Sequence, residues 1–190
     1  MLTAELGLWG YEPTPADPFV FNHRAFPSST MLADSSEILG MVVPGPATTT
    51  LACLGAAIID AEGNIDSTVV PGRTFLVGSG GGNDVASTAD EVIVVTTLTG
   101  RRTGERVPYV TSPGTRVSHL VTDLGVFAKG ESGRLELAAL ADGVTVDEVR
   151  SMVGWNDLVV RDPLPTLPPV TPDEVAVLRH WDPRGFFLRA

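Results

Sequence analysis

Residues Gly78–Asp84 read G-S-G-G-G-N-D, four glycines in five positions between an apolar piece, Thr74–Val77, and a short helical pattern, Val85–Ala89. Glycine loses more backbone freedom on folding than any other residue. Such density is therefore kept where the chain needs positive φ or the close approach of another group. Between a strand and a helix, a glycine turn belongs to α/β folds. It also clusters backbone amides that can hold a phosphate, a carboxylate or a developing oxyanion. A tight structural turn is the other reading. No G-K-[ST] follows, so it is not a Walker A loop, and Asn83 stands where the third glycine of a dinucleotide fingerprint would fall.

The flanking pattern also points to α/β. Glu91–Thr97 (EVIVVTT) is an almost continuous β-branched run of the kind that parallel sheets covered on both faces use. Leu51–Ile59 and Thr74–Val77 read as buried strands. Ile65–Val70, Val107–Val110, Val117–Thr122 and Leu135–Leu140 read as further extended pieces. Ser35–Val43 is a short helix capped by Asp34 or Ser35. Thr145–Val153 opens on an N-cap Thr145, with Glu148 closing a capping box. Thr171–Arg179 opens with Thr-Pro in the cap-then-N1 order. The expected architecture is an open, mostly parallel sheet with flanking helices. One domain spans residues 1–162, and residues 163–190 form a proline-rich connection with a short helix or tail.

Composition removes several function classes. Lys plus Arg is 13 against 23 for Asp plus Glu, a net charge of −10, and no basic block occurs. A nucleic-acid or anionic-membrane surface is not expected from such a chain. Cys53 is the single cysteine, which rules out an internal disulfide framework and a C-x-x-C zinc site. Its place in the apolar run Leu51–Ile59 predicts a buried structural thiol. His23, His119 and His180 are scattered, without metal-ligand spacing, so no metal is expected. No apolar stretch nears the roughly 20 residues that span a bilayer, and Met1–Gly10 lacks a basic n-region. A cytoplasmic protein is the expectation.

Other segments are candidates for a site. Glu5 lies in an apolar, strand-like run followed by Gly7 and Gly10. A carboxylate in that setting resists ionisation or is held for chemistry. The stretch Glu12–Pro27 carries Pro13, Pro15, Pro18 and Pro27 with Phe19, Phe21 and Phe26, as a packed surface loop or a ligand-side lid would. Within it, His23 and Arg24 are candidates to bind a carboxylate. Asp60–Asp66 (D-A-E-G-N-I-D) lacks calcium-loop order and reads as a hydrogen-bonded turn, with Asn64 and Asp66 possible site neighbours. Thr111-Ser112-Pro113-Gly114 has a type II turn signature. Ser112 has no G-x-S-x-G context, which argues against a serine hydrolase. Asp123, among apolar residues, needs a turn or an arginine to satisfy it.

Together, GSGGGNDVAS (Gly78–Ser87), VPYVTSPG (Val107–Gly114), VTDLGVF (Val121–Phe127) and DAEGNIDSTVV (Asp60–Val70) resemble the beta chain of the family I CoA-transferases, closest to the glutaconate and 3-oxoacid branch. The resemblance runs from about Thr3 to Trp155. It implies the CoA-transferase (NagB/RpiA-like) fold. Family beta subunits carry a further βα region before their catalytic glutamate, whereas this sequence has four residues there. The resemblance thus implies a fold lacking its first βα region. The family's glutamate lies in E-[SN]-G followed by a hydrophobic pair and glycine. Glu5-Leu6-Gly7-Leu8-Trp9-Gly10 matches this run, with Leu6 in place of Ser or Asn.

By this resemblance Glu5 is the nucleophile. Gly78, Gly80, Gly81 and Gly82 form the oxyanion and CoA loop, and Gly7, Asn64, Asn83 and Ser112 lie at the pocket. The implied reaction moves CoA from an acyl-CoA to a carboxylic acid through an acyl-glutamyl anhydride and a glutamyl-CoA thioester. No permanently bound cofactor is implied, CoA being both substrate and covalent intermediate. An alpha-type subunit is the implied partner, in a heterotetramer or larger assembly. Two other readings stand beside this one: an acyl-CoA hydrolase of the same fold, and a non-catalytic structural or regulatory subunit.

Overall fold

The computed structural model describes residues 1–13, 15, 23–70 and 72–186. The chain divides into two compact units, Met1–Gly45 with Pro169–Ala190, and Pro46–Pro168. The C-terminal helix thus groups with the N-terminal residues, whereas the sequence pattern sets residues 163–190 apart as a tail.

In the first unit, β1 (Thr3–Ala4), β2 (Leu8–Trp9) and β3 (Met31–Leu32) form an antiparallel sheet in that order. Its core is a small cluster of Ala4, Leu8, Tyr11 and Ala25. Burial raises the Tyr11 phenol above its usual pKa. Helix α1 (Ser35–Glu37) starts at Asp34, whose carboxylate accepts from the Glu37 amide while Glu37 returns the bond to the Asp34 amide. The expected helix over 35–43 continues from there as a π-helical turn, Ile38–Val42.

The second unit holds most of the sheet. Strands β4 (Leu51–Gly55), β5 (Ile58–Asp60), β6 (Ile65–Asp66), β7 (Val69–Val70) and β8 (Thr74–Phe75) precede helix α2 (Gly82–Thr88). Then come β9 (Glu91–Val95), β10 (Thr103–Gly104), β11 (Val117–Val121), β12 (Gly125–Lys129), β13 (Leu135–Leu140) and helix α3 (Val146–Met152). The main sheet runs β13–β12–β11–β9–β4. Strands β4, β9 and β11 are mutually parallel, and β12 and β13 continue antiparallel. The α/β expectation holds, in a mixed sheet. Its inward face is fully buried at Val92, Val94, Leu120, Phe127 and Leu137. The Trp155 ring packs edge-on against Phe127 at 5.3 Å.

Several local expectations need correction. Leu51–Ile59 is two strands in two sheets. The chain turns at Ala56, whose carbonyl accepts from Thr96 Oγ1 and Arg102 Nη1 instead of a strand neighbour. Strand β4 is a sheet edge with one face open, so Cys53 is exposed rather than buried. Thr74–Val77 is also exposed. Phe75 and Val77 are 67% and 58% accessible, in a small β7–β8 hairpin outside the main sheet. Val107–Val110 forms no strand, because Pro108 lacks the amide a ladder needs. Helix α3 has the predicted Thr145–Glu148 capping box. The last helix, α4 (Pro172–Trp181), has one between Thr171 and Glu174, and none of its residues is buried.

Candidate active site

Glu5 sits in the turn between β1 and β2, not within a strand. The Gly7 amide closes this turn on the Ala4 carbonyl at 3.0 Å, and the Gly7 carbonyl accepts from the Ala33 amide at 2.8 Å. Gly7 has φ +119°, and a Cβ there would collide with the Ala33 carbonyl. Only glycine fits, so Gly7 fixes the turn that presents Glu5. The Glu5 side chain is half-buried and, among the described residues, has no hydrogen bond or ion pair. Its neighbour Leu6 is 61% exposed. The expectation of a carboxylate enclosed in an apolar strand is therefore replaced by one displayed at a rigid turn.

The glycine run leaves the β7–β8 hairpin and enters α2. Gly80 takes φ +54°, which suits glycine, while Gly81 is the N-cap of α2. A Cβ on Gly78 or Gly80 would meet nothing within 4 Å. Packing within this chain therefore does not require these glycines. Among the described residues, the amides of Gly78, Ser79, Gly80 and Gly81 donate to no protein acceptor. The result is a row of open donors, the arrangement an anion uses. Ser112 adjoins this run, its Oγ lying 3.8 Å from where a Gly82 Cβ would be. The buried Ser112 is held by backbone hydrogen bonds in both directions with Ile65.

Asn64 belongs to a second cluster. The Asp60–Asn64 segment is a hydrogen-bonded turn, with Asp60 Oδ1 accepting from the Glu62 and Asn64 amides. Asn64 Nδ2 donates to Asp60 Oδ2 at 3.0 Å, and Asn64 Oδ1 accepts from the Gly114 amide at 2.9 Å. The side-chain amide thus ties the turn to the 3-10 turn Gly114–Arg116. Any Cβ on Gly114 would crowd the Gly63–Asn64 backbone at about 2.5 Å. Lys129 Nζ donates to the Gly114 carbonyl at 2.5 Å from the far side. A cavity of about 390 Å³ opens here, lined in part by Glu62, Asn64, Thr115 and Lys129. Burial lowers the Lys129 pKa, against the raising influence of Asp60 and Glu62.

The remaining candidates are dispersed. His23 and Arg24 are exposed on the turn His23–Ser28. Phe19 and Phe21 of the expected lid lie outside the described residues. Asn83 is exposed on α2, where its carbonyl accepts from Ser87 Oγ. Asp66 is fully buried. Its Oδ1 accepts from the Thr68 and Val69 amides, and its Oδ2 has no partner. Asp123 is exposed rather than buried among its apolar neighbours, and its Oδ1 accepts from the Leu98 amide at 2.7 Å, 25 positions away, rather than from its own turn.

Two clusters are not visible in the sequence pattern. Ser118 Oγ donates to Glu91 Oε1 at 2.5 Å and lies 2.9 Å from His119 Nδ1. Ser118 and His119 are sequence neighbours, but only the β9–β11 register brings Glu91 to them. The other is the bidentate Arg134–Glu105 pair, at 2.8 and 3.2 Å, with the Asn156 amide also on Glu105. These bonds hold the Glu105 carboxyl down to about 2. Among the described residues, no group of three or more His, Cys, Asp and Glu is placed to hold a metal ion. No described helix is long and apolar enough to cross a membrane.

No family model matches the chain. It is 31% identical over 161 residues to the B subunit of the probable succinyl-CoA:3-ketoacid coenzyme A transferase of Bacillus subtilis (strain 168), across 78% of this chain and 73% of that protein. It is 29% identical over 123 residues to the B subunit of 3-oxoadipate CoA-transferase from Pseudomonas knackmussii, across 54% of this chain and 47% of the relative. Among solved structures, glutaconate coenzyme A-transferase from Acidaminococcus fermentans matches with a TM-score of 0.87 at 25% identity, over 98% of this chain and 80% of that one. The decarboxylase AibA/AibB shares the fold, with a TM-score of 0.81 at 22% identity over 95% and 76% of the two chains.

A fold of this kind, with this degree of sequence identity to its members, defines a CoA-transferase. The chain belongs to the family I CoA-transferases, as a beta-type subunit. CoA is the substrate which that class implies.

Proposed function

We propose that the chain is the beta-type subunit of an acyl-CoA:carboxylate CoA-transferase in which Glu5 is the nucleophile. The Glu5 carboxylate attacks the thioester carbonyl. The C–S bond breaks, leaving an acyl-glutamyl anhydride and CoA thiolate. The thiolate then attacks the glutamyl carbonyl, releasing the first acid and forming glutamyl-CoA. An acceptor carboxylate reverses both steps. The amides of the Gly78–Gly82 run are oxyanion donors for the tetrahedral intermediates. Ser112 adjoins that run, Asn83 lies at the start of the helix after it, and Asn64 holds the neighbouring turn. His23 and Arg24 are the candidate carboxylate contacts for the acid substrate.

The observation that carries this reading is the turn at Glu5. A glycine that tolerates no side chain presents a carboxylate which no described residue occupies. The open amides of Gly78–Gly81 support the second role. Relatives named as B subunits, and a structural neighbour named for two chains, support an alpha-type partner, and the assembly proposed with it is a heterotetramer or larger complex. The exposed apolar side chains of Leu51, Phe75, Val77 and Val95 are consistent with that partner.

The test is trapping. The chain is co-expressed with a candidate alpha-type subunit and given a panel of acyl-CoAs. It is then treated with borohydride or hydroxylamine and mapped by mass spectrometry. A modified Glu5 is expected, with turnover falling about 10⁴-fold or more in Glu5→Ala. Acyl-CoA consumption without an acid acceptor, and without a mark on Glu5, would replace this reading with hydrolysis. A folded complex that neither binds CoA nor acquires a mark would make the chain a structural subunit.

A further inference from the structure

Lys129 is the single lysine among the 13 Lys and Arg residues of the chain. It is not on the open surface where lysines are usual. It ends β12, half-buried, with Nζ on the Gly114 carbonyl at 2.5 Å and facing the cavity of about 390 Å³. The acidic groups on that side are Asp60, fixed in its turn, and Glu62 on the cavity wall. No carboxylate lies within ion-pair distance of Nζ among the described residues. One of its three donor positions is used and the others are available to the cavity. An arginine here would remain charged at any ordinary pH and accept no acyl group, whereas a partly desolvated amine can do so.

We propose that Lys129 is an acyl-acceptor site for short acyl-CoAs. The neutral amine attacks the thioester carbonyl. The C–S bond breaks as an amide forms at Nζ, and the displaced proton passes to CoA, which leaves as the thiol. The cavity has room for a short acyl chain. Acylation removes the positive charge beside Asp60 and Glu62 and leaves one N–H for the Gly114 carbonyl. The mark therefore acts on the junction that Asn64 holds. The site rests on the reading that this protein meets acyl-CoA, but it does not require Glu5 chemistry.

The protein is incubated with acetyl-CoA at about pH 7.5, with Nα-acetyl-lysine amide as the reference amine. Acetylation is followed by intact mass and peptide mapping. The expected result is one acetyl group at Lys129, formed about threefold or more faster than on the reference amine. The rate is unchanged in Glu5→Ala, and the mark is absent in Lys129→Arg. A rate at or below that of the reference amine, or acetylation only after denaturation, overturns the proposal. A trapped Glu5 with an inert Lys129 sinks this site alone. An acetylated Lys129, with Glu5 unmarked when the complex with the alpha-type subunit is trapped, keeps the site and sinks the transferase nucleophile.

Discussion

The two compact units place functional candidates on very different foundations. The first presents Glu5 from strands of two residues over a small cluster of Ala4, Leu8, Tyr11 and Ala25. The second carries its glycine run beside a five-stranded sheet with Phe127, Leu120 and Leu137 fully buried. Gly7 and its bonds to Ala4 and Ala33 set the carboxylate, whereas the open amides lead from an exposed hairpin into α2, which buries Val85 and Ala86. The position of a reacting group can thus depend on a few hydrogen bonds while most of the stability lies elsewhere.

The comparison can be broken most forcefully in the core. Phe127→Ala removes a fully buried ring and the Trp155 contact, and should destabilise the second unit by about 3–5 kcal/mol in denaturant unfolding. Leu8→Ala should cost about 2–3 kcal/mol and leave amide exchange in β9 and β11 unchanged. Equal, global losses from both would show that the units unfold as one. Gly7→Ala should cost about 1–3 kcal/mol from its backbone conformation, before the Ala33 collision is counted. It should also abolish trapping at Glu5 without changing protection in the main sheet.

A smaller effect concerns pH. The Glu105 carboxyl is held near 2, below its ordinary 4.5. A depressed carboxylate contributes stability above the unfolded pKa, and that contribution is lost as pH falls through the folded value. The second unit should therefore lose stability from about pH 4.5 down to about 2, and Glu105→Gln should flatten that part of the curve. A parallel curve in the variant would remove Arg134–Glu105 from the acid response. The smallest difference lies in the two capping boxes. Thr145→Ala should cost about 1 kcal/mol, because α3 buries Val149. Thr171→Ala should fray α4, with a global change below about 0.5 kcal/mol, since α4 buries nothing.

Short-range chemistry was legible in the sequence. The caps at Asp34, Thr145 and Thr171 and the Asp60–Asn64 turn formed as read, because their donors and acceptors lie within four residues. Exposure was not legible. Cys53 and Phe75 sit in apolar runs, yet one lies on the open face of an edge strand and the other on a hairpin outside the main sheet. An apolar run shows that a strand can be buried, not whether its sheet has a second cover. The candidate site was legible where glycine marks it, at Gly7 and Gly80. Lys129 was countable as the single lysine. Its meaning depends on β12 bringing it to Gly114, 15 positions away in the chain.

The exposure of Cys53 has a practical consequence. As the single cysteine of the chain, on the unpaired edge of the main sheet, it is one addressable thiol beside exposed Leu51 and Val95. A maleimide-linked fluorophore there would report on that edge without any engineered handle. Its emission would change when another polypeptide covers the strand, turning the assembly of the two chains into a titration that can be followed in real time.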